Sequence, residues 1–205
     1  MKRIFVTGTS TEVGKTIASA ILVEALGADY WKPVQSGDLD YSDSHKIAKL
    51  ISNNSTVIHE NSYALKTPMS PHAAAEIDGV QIELKAIKEP KTNNHLVIEG
   101  AGGLLVPLNQ TDIIADLIQP NYHVVVVSRH YLGSINHTLL TFEALHNRGL
   151  KASLIFSGEE HPTTEQIILE KTKAVCLGRI GEEAAFTREV IKKYAQEFSP
   201  NLSSL

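Results

Sequence analysis

Apolar residues along the 205-residue chain fall in short, nearly unbroken runs, separated by stretches in which they recur at helical spacing. The runs are "RIFVTG", "DYWKPVQSG", "NHLVIEGAGG", "HVVVVSR", "KASLIFSG" and "AVCLGRIG". Each has the length of a strand, and continuous rather than alternating hydrophobicity means cover on both faces, as in a parallel sheet. The intervening pattern predicts helices over Val13 to Ala25, Ser42 to Ile51, Ile82 to Lys88, Thr111 to Ile118, Ser134 to Asn147, Thr163 to Lys171 and Glu182 to Glu197. Strands alternating with helices read as βαβ units, so the expected class is α/β, a three-layer sandwich with a mostly parallel sheet. No repeat or linker interrupts the pattern. Residues 1–205 are therefore expected to form one domain, with "SPNLSSL" as a frayed tail.

Composition narrows the function classes. The 42% hydrophobic content suits one well-buried domain, and a formal charge of -4 gives no electrostatic footprint for nucleic acid. No apolar run is long enough to span a bilayer, and no basic segment leads into one at the N-terminus, so a cytoplasmic protein without a membrane partner is expected. The single cysteine, Cys176, has no disulfide partner in the chain and reads as a core residue. The scattered histidines have no zinc spacing.

In an open parallel sheet, ligands bind beyond the carboxyl ends of the strands. Small and polar residues cluster at those ends: Gly8, Ser36-Gly37, Glu99 to Gly103 and Ser157-Gly158. The stretch "GTSTEVGKT", Gly8 to Thr16, leads from the first strand into the first helix. It departs from G-x-x-x-x-G-K-[ST] by one residue, which puts Thr9 in the place of the first glycine. The physical requirements of a phosphate loop are still present: a tight turn with inward N–H groups and a helix whose positive dipole end opens at Gly14. Lys15 can reach the β- and γ-phosphates, and Thr16 can place its hydroxyl on a magnesium ion. An ordinary capped strand-to-helix loop with a solvated Lys15 is the bland alternative.

Further candidates follow along the chain. Lys32, before Pro33 at a strand end, is either surface charge or a group that stabilises a transferring phosphoryl. Asp43 is either a first-turn helix acid or a metal ligand, and Glu99 must find a cation if it is buried. With Thr16 and phosphate oxygens, Asp43 and Glu99 would suit magnesium. The glycines after Glu99 would allow close backbone approach. Gly133 to Asn136 open a helix whose free N–H groups could hold a carboxylate, or are a plain cap. "TPMSPHAAA" reads as a loop, and its His72 is either a catalytic group or, as a lone loop histidine more often is, one without chemistry.

The ordered set "TGTSTEVGKT", "WKPVQSG", "SD", "SPHAAA", "IEGAGGLLVPL" and "LGSINHTLLT" resembles the ATP-dependent dethiobiotin synthetases of biotin biosynthesis from Arg3 to about Gly181. The extra residue in the loop is normal in that family. The resemblance implies a P-loop NTPase fold and a homodimer whose active site lies at the subunit interface. The implied substrates are 7,8-diaminononanoate, carbon dioxide and ATP, with magnesium. It assigns catalysis to Lys15 and Lys32, and the nucleotide to Glu12, Val13, Gly14, Lys15, Thr16, Ile17, Asp43, Glu99, Gly100, Ala101, Gly102, Ser157 and Gly158. Thr11 and Ser36 would contact the diamine end, Gly133, Ser134, Ile135 and Asn136 the carboxylate tail, and Thr16, Asp43 and Glu99 the magnesium.

Two positions depart from the pattern. Ser157 stands where many relatives have an adenine-reading asparagine, and Gly181 where the family often has a proline. A serine cannot present the paired donor and acceptor of an amide. Either other groups then read the base or several triphosphates are accepted. A rival class, the partitioning or membrane-targeting P-loop switch, carries a signature lysine at the position of Ser10 and a basic amphipathic tail, both missing from this chain. Amide-forming ligases of related fold carry a glutaminase domain that needs a longer chain.

Overall fold

The structure is a computed structural model that describes residues 1–203. In chain order its elements are β1 (Arg3–Gly8), α1 (Lys15–Leu26), β2 (Asp29–Trp31), β3 (Val34–Ser36), α2 (Asp43–Leu50), β4 (Ile58–His59), β5 (Tyr63–Leu65) and α3 (Pro71–Asp78). Then come β6 (Leu96–Gly103), β7 (His123–Arg129), α4 (Ser134–Asn147), β8 (Ala152–Ser157), α5 (Pro162–Thr172), β9 (Val175–Ile180) and α6 (Arg188–Leu202). Seven strands form one parallel sheet in the order β4-β2-β6-β1-β7-β8-β9.

The side-chain period of two divides the core. Ile4, Val6, Tyr30, Val97, Val125, Val127 and Ile155 point to one face, where they pack with α1, α2 and α6. Their neighbours Phe5, Trp31, Leu96 and Ile98 point to the other face and meet α3. Val124, Val126, Leu154 and Phe156 also lie on that face, under α4 and α5. The expected three-layer α/β sandwich follows directly from continuous apolar strands covered on both sides.

The chain winds from β1 toward β2 and β4 on one side and reaches β7, β8 and β9 on the other. The carboxyl end of β1 is therefore a topological switch point, where the loops diverge and leave a crevice.

Several local expectations need correction. The run "DYWKPVQSG" is two strands: β2 joins the main sheet, and beyond Pro33 β3 pairs with β5 in a separate two-stranded sheet. Proline has no N–H to give a ladder, so it marks the exit. "TPMSPHAAA" is not all loop, since Ser70 and Pro71 start α3 and place His72 on a helix. The expected helices over Ile82 to Lys88 and Thr111 to Ile118 shrink to single 3-10 turns, Leu84–Ala86 and Ile114–Leu117. The last helix begins at Arg188 rather than Glu182, and it continues through Pro200 to a buried Leu202. Most of the expected frayed tail is thus packed helix; Ser204 and Leu205 lie outside the described residues. Cys176 is partly buried against the α4 and α5 layer, and burial raises its thiol pKa.

Candidate functional site

The loop between β1 and α1 wraps the switch point. Thr9 N donates to Val127 O at 3.1 Å, which ties the loop to β7. Glu12 (φ 54) and Gly14 (φ 95) both adopt left-handed backbone, and such turns gather N–H groups into an anion-binding concavity. Gly14 is the N-cap of α1, and neither a capping side chain nor a first-turn acid satisfies or repels what approaches that end. The free N–H groups and the dipole are available to phosphate. Lys15 lies along the loop, its Nζ donating to Ser10 O at 2.8 Å. Burial lowers its pKa to about 8, against the opposing pull of Glu99.

Period two also builds the neighbouring charged cluster. Tyr30 is on the α1 face of β2, so Lys32, two residues on, leaves the sheet on the same side. Glu99 follows Val97 on β6 and has the same orientation, beneath the first turn of α1. Glu99 lies in the middle of β6 rather than at its end, and it is 1% exposed. A carboxylate so placed needs partners. It has three: Thr16 Oγ1 at 3.0 Å and Lys32 Nζ at 3.1 Å on Oε1, and the Tyr30 hydroxyl at 2.9 Å on Oε2. Lys32 Nζ also donates to Asp43 Oδ2 at 2.6 Å, and Lys46 Nζ to Asp43 Oδ1 at 3.0 Å.

Burial would raise Asp43, but Lys32 and Lys46 override it and hold its carboxyl at about 2. Burial would lower Lys32, but Glu99 and Asp43 override it and raise the ammonium pKa. Burial and the adjacent Glu99 raise the Tyr30 phenol. Asp43 itself sits in the first turn of α2, which starts at Ser42 with His45 bonded back to it.

A cavity of about 1250 Å³ opens over these groups. Of the residues singled out in the sequence, Thr11, Glu12, Gly14, Lys15, Thr16, Ile17, Lys32, Ser36, Asp43, Glu99, Ala101 and Gly102 line it. Val13 instead packs into the core, and a Cβ on Gly100 would point at Phe5 and Ile114 on the opposite face. Ser157 borders Gly14, its Oγ 3.0 Å from where a Gly14 Cβ would lie. Gly158 lies beside the Arg129–Glu182 ion pair of 2.6 Å. The Gly181 N–H, which a proline would lack, donates to the Tyr194 hydroxyl at 3.0 Å.

Gly133 to Asn136 begin α4 away from this cavity, next to a second one of about 730 Å³ that shares Thr11 and Glu12 and includes Tyr131, His137 and Leu140. Sequence reasoning missed Tyr30 and Lys46. Spacing held a signal for both: Lys46 lies three residues after Asp43 on a helix, and Tyr30 two before Lys32 on a strand.

The oxygen set of Thr16, Asp43 and Glu99 fits a hard divalent cation such as magnesium, which binds a few protein oxygens plus phosphate. Among the described residues no group of three or more His, Cys, Asp and Glu side chains suits a metal. No helix among them is long and apolar enough to cross a membrane.

Comparison with known proteins gives a consistent picture. The family model described as an AAA domain matches residues 2–190. An ATP-dependent dethiobiotin synthetase BioD of Christiangramia forsetii is 58% identical over 205 residues, covering 100% of this chain and 99% of that protein. One from Cytophaga hutchinsonii is 50% identical over 204 residues, covering 98% of each. Among solved structures, a MinC:MinD cell division protein complex of Aquifex aeolicus aligns with TM-score 0.60 and 13% identity over 100% of this chain and 96% of that one. A putative plasmid partition protein of Borrelia burgdorferi, bound to AMPPNP, aligns with TM-score 0.59 and 18% identity over 98% and 97%. At such identity these two structures show the shared P-loop fold alone.

Proposed function

This chain belongs to the ATP-dependent dethiobiotin synthetase family and is a ligase that forms dethiobiotin at the expense of ATP, and from that premise we propose how its residues divide the work. One amine of 7,8-diaminononanoate takes up carbon dioxide as a carbamate. The carbamate oxygen attacks the γ-phosphate and expels ADP to give a carbamic-phosphoric anhydride, and the second amine closes the cyclic urea and expels phosphate. These steps need positioning and charge neutralisation more than covalent help from the protein.

The observation that carries the assignment is the convergence of Lys15, Lys32, Thr16, Asp43 and Glu99 on one cavity under the open end of α1. Lys15 and the loop from Glu12 to Ile17 hold the triphosphate. Lys32 neutralises the carbamate and the transferring phosphoryl, while Thr11 and Ser36 contact the diamine end. Thr16, Asp43 and Glu99 hold magnesium, which when bound offsets the charge of the phosphate oxygens. Residues 1–205 act as one domain, in the cytoplasm. Ser157 and Gly158 border the base, where serine leaves the edge of adenine to other groups.

The second cavity and its surroundings support a homodimer. Leu105 and Leu140, both exposed, line it, and the exposed Leu132 follows its Tyr131 in the chain, large apolar groups that a monomer rarely leaves together in water. We assign this face to the partner subunit, so that Gly133 to Asn136 of one protomer meet the substrate tail bound by the other. Lys15→Gln and Lys32→Gln should each lower kcat by at least about 100-fold while the fold persists. Asp43→Ala and Glu99→Ala should move the magnesium titration of turnover to higher concentrations. Undiminished ring closure in the lysine variants, or an unmoved magnesium titration in the acid variants, would overturn these roles.

A further inference from the structure

The oxygens assigned above to magnesium already converge on another cation. Lys32 Nζ is bonded to Asp43 Oδ2 at 2.6 Å and to Glu99 Oε1 at 3.1 Å. Thr16 Oγ1 is bonded to the same Glu99 oxygen. The remaining oxygen of each carboxylate is anchored elsewhere, Glu99 Oε2 by Tyr30 and Asp43 Oδ1 by Lys46. Each acid therefore has one fixed oxygen and one turned toward Lys32, and the latter pair is the one a metal would take. Magnesium demands oxygens at about 2.0–2.1 Å, so it cannot bind Asp43 Oδ2 and Glu99 Oε1 while the ammonium lies between them. Two cations that close, in a site shielded from water, also repel strongly.

We infer that Lys32 is an internal counter-cation that magnesium replaces: the ammonium neutralises Asp43 and Glu99 until the metal takes their oxygens, and is then released toward the reacting phosphoryl. The inference rests on the reading of Thr16, Asp43 and Glu99 as the metal ligands. Lys32 lines the large cavity, and its flexible four-carbon stem gives the freed ammonium reach into it. Metal binding and the arming of Lys32 become one event. Without the metal the lysine is tied down by the two carboxylates; with it, a mobile positive charge stands where the carbamate attacks. Lys46 keeps its own bond to Asp43 Oδ1 through the exchange, which holds that carboxylate in place.

The test uses the full chain with ADP, which lacks the γ-phosphate and so does not itself draw Lys32 away. With side-chain nitrogens labelled, the Lys32 ammonium should give a resonance protected from water exchange in ADP plus EDTA. Addition of magnesium should broaden it away or move it to the position of a solvated lysine. Lys32→Arg identifies the signal by removing it. A resonance that stays put with magnesium bound would overturn the exchange. In parallel, Mn2+ binding in the presence of ADP, followed by electron paramagnetic resonance, should tighten at least tenfold in Lys32→Met; unchanged or weaker binding would overturn the exchange. If Lys32→Met does not fold, the wild-type resonance decides. Asp43→Asn separates the metal site from the exchange. Weaker Mn2+ binding in that variant with an unmoved Lys32 resonance in the wild type keeps the metal site and removes the exchange. Unchanged Mn2+ binding in Asp43→Asn removes the metal site and the exchange with it.

Discussion

At the level of single residues, one cavity holds two buried lysines that are pushed in opposite directions. Among the described residues no carboxylate is bonded to Lys15, so desolvation dominates and brings it down to about 8. Lys32 is as deeply buried, yet its two ion pairs outweigh desolvation. The difference has a pH signature. Below about 8 Lys15 is an ammonium and meets the polyphosphate ready charged; above it, binding must first draw a proton from solvent. ADP affinity in EDTA, measured by calorimetry, should therefore fall as pH rises through about 8, with proton uptake on binding; a flat profile between about pH 7 and 9 would contradict the burial argument. Tyr30→Phe leaves Glu99 Oε2 without its donor, which should cost about 1–3 kcal/mol of stability and raise the KM for magnesium more than it lowers kcat. Thermal unfolding and magnesium titration check the two halves. Lys15, Thr16, Asp43 and Glu99 could be read from the sequence as chemistry because charge or a phosphate-loop context singled them out. Tyr30 carried only its spacing from Lys32, since an aromatic in an apolar run reads first as core, which it also is.

At the level of elements, the sequence was most informative where one period persists. The alternation that puts Ile4, Val6, Val97 and Val125 on one face also aims Glu99 and Lys32 at α1. It was least informative where a proline could either stop an element or start one. Pro33 ends β2, whereas Pro71 opens α3, and only the tertiary partners distinguish the two. The isolated helical patterns over 82–88 and 111–118 lacked the length to nucleate and yield single turns. The late helix shows how closely elements fit. A Cβ on Gly178 of β9 would collide with the ring of Phe198 on α6, one of the buried residues of that core layer. Gly178→Ala should destabilise the protein by about 1–3 kcal/mol in denaturant unfolding through this overpacking, with ATP binding retained by the folded fraction. A neutral substitution would mean that α6 yields more easily than its packing suggests.

At the level of the whole molecule, the fold supplies a switch point with a phosphate-binding loop, and the surface next to α4 is where we propose that two chains pair. Solved neighbours with the same fold carry out other tasks, so the chemistry rests on the site's residues rather than on the sheet. If the exposed leucines form the subunit contact, the double substitution Leu132→Asp with Leu140→Asp should halve the mass in sedimentation equilibrium and raise the KM for the diamine, because the tail would lose its partner residues; an unchanged dimer would place the contact elsewhere. The most direct single measurement follows carbon from carbon dioxide into product. Wild-type protein and Lys32→Gln, both verified as folded, are incubated side by side with 7,8-diaminononanoate, 13C-bicarbonate, magnesium and ATP, and the cyclic urea is detected by mass spectrometry. Labelled dethiobiotin from the wild type and at least about 100-fold less from the variant is the expected result. No labelled product from the wild type, or equal amounts from both, would contradict a catalytic role for the lysine between Asp43 and Glu99.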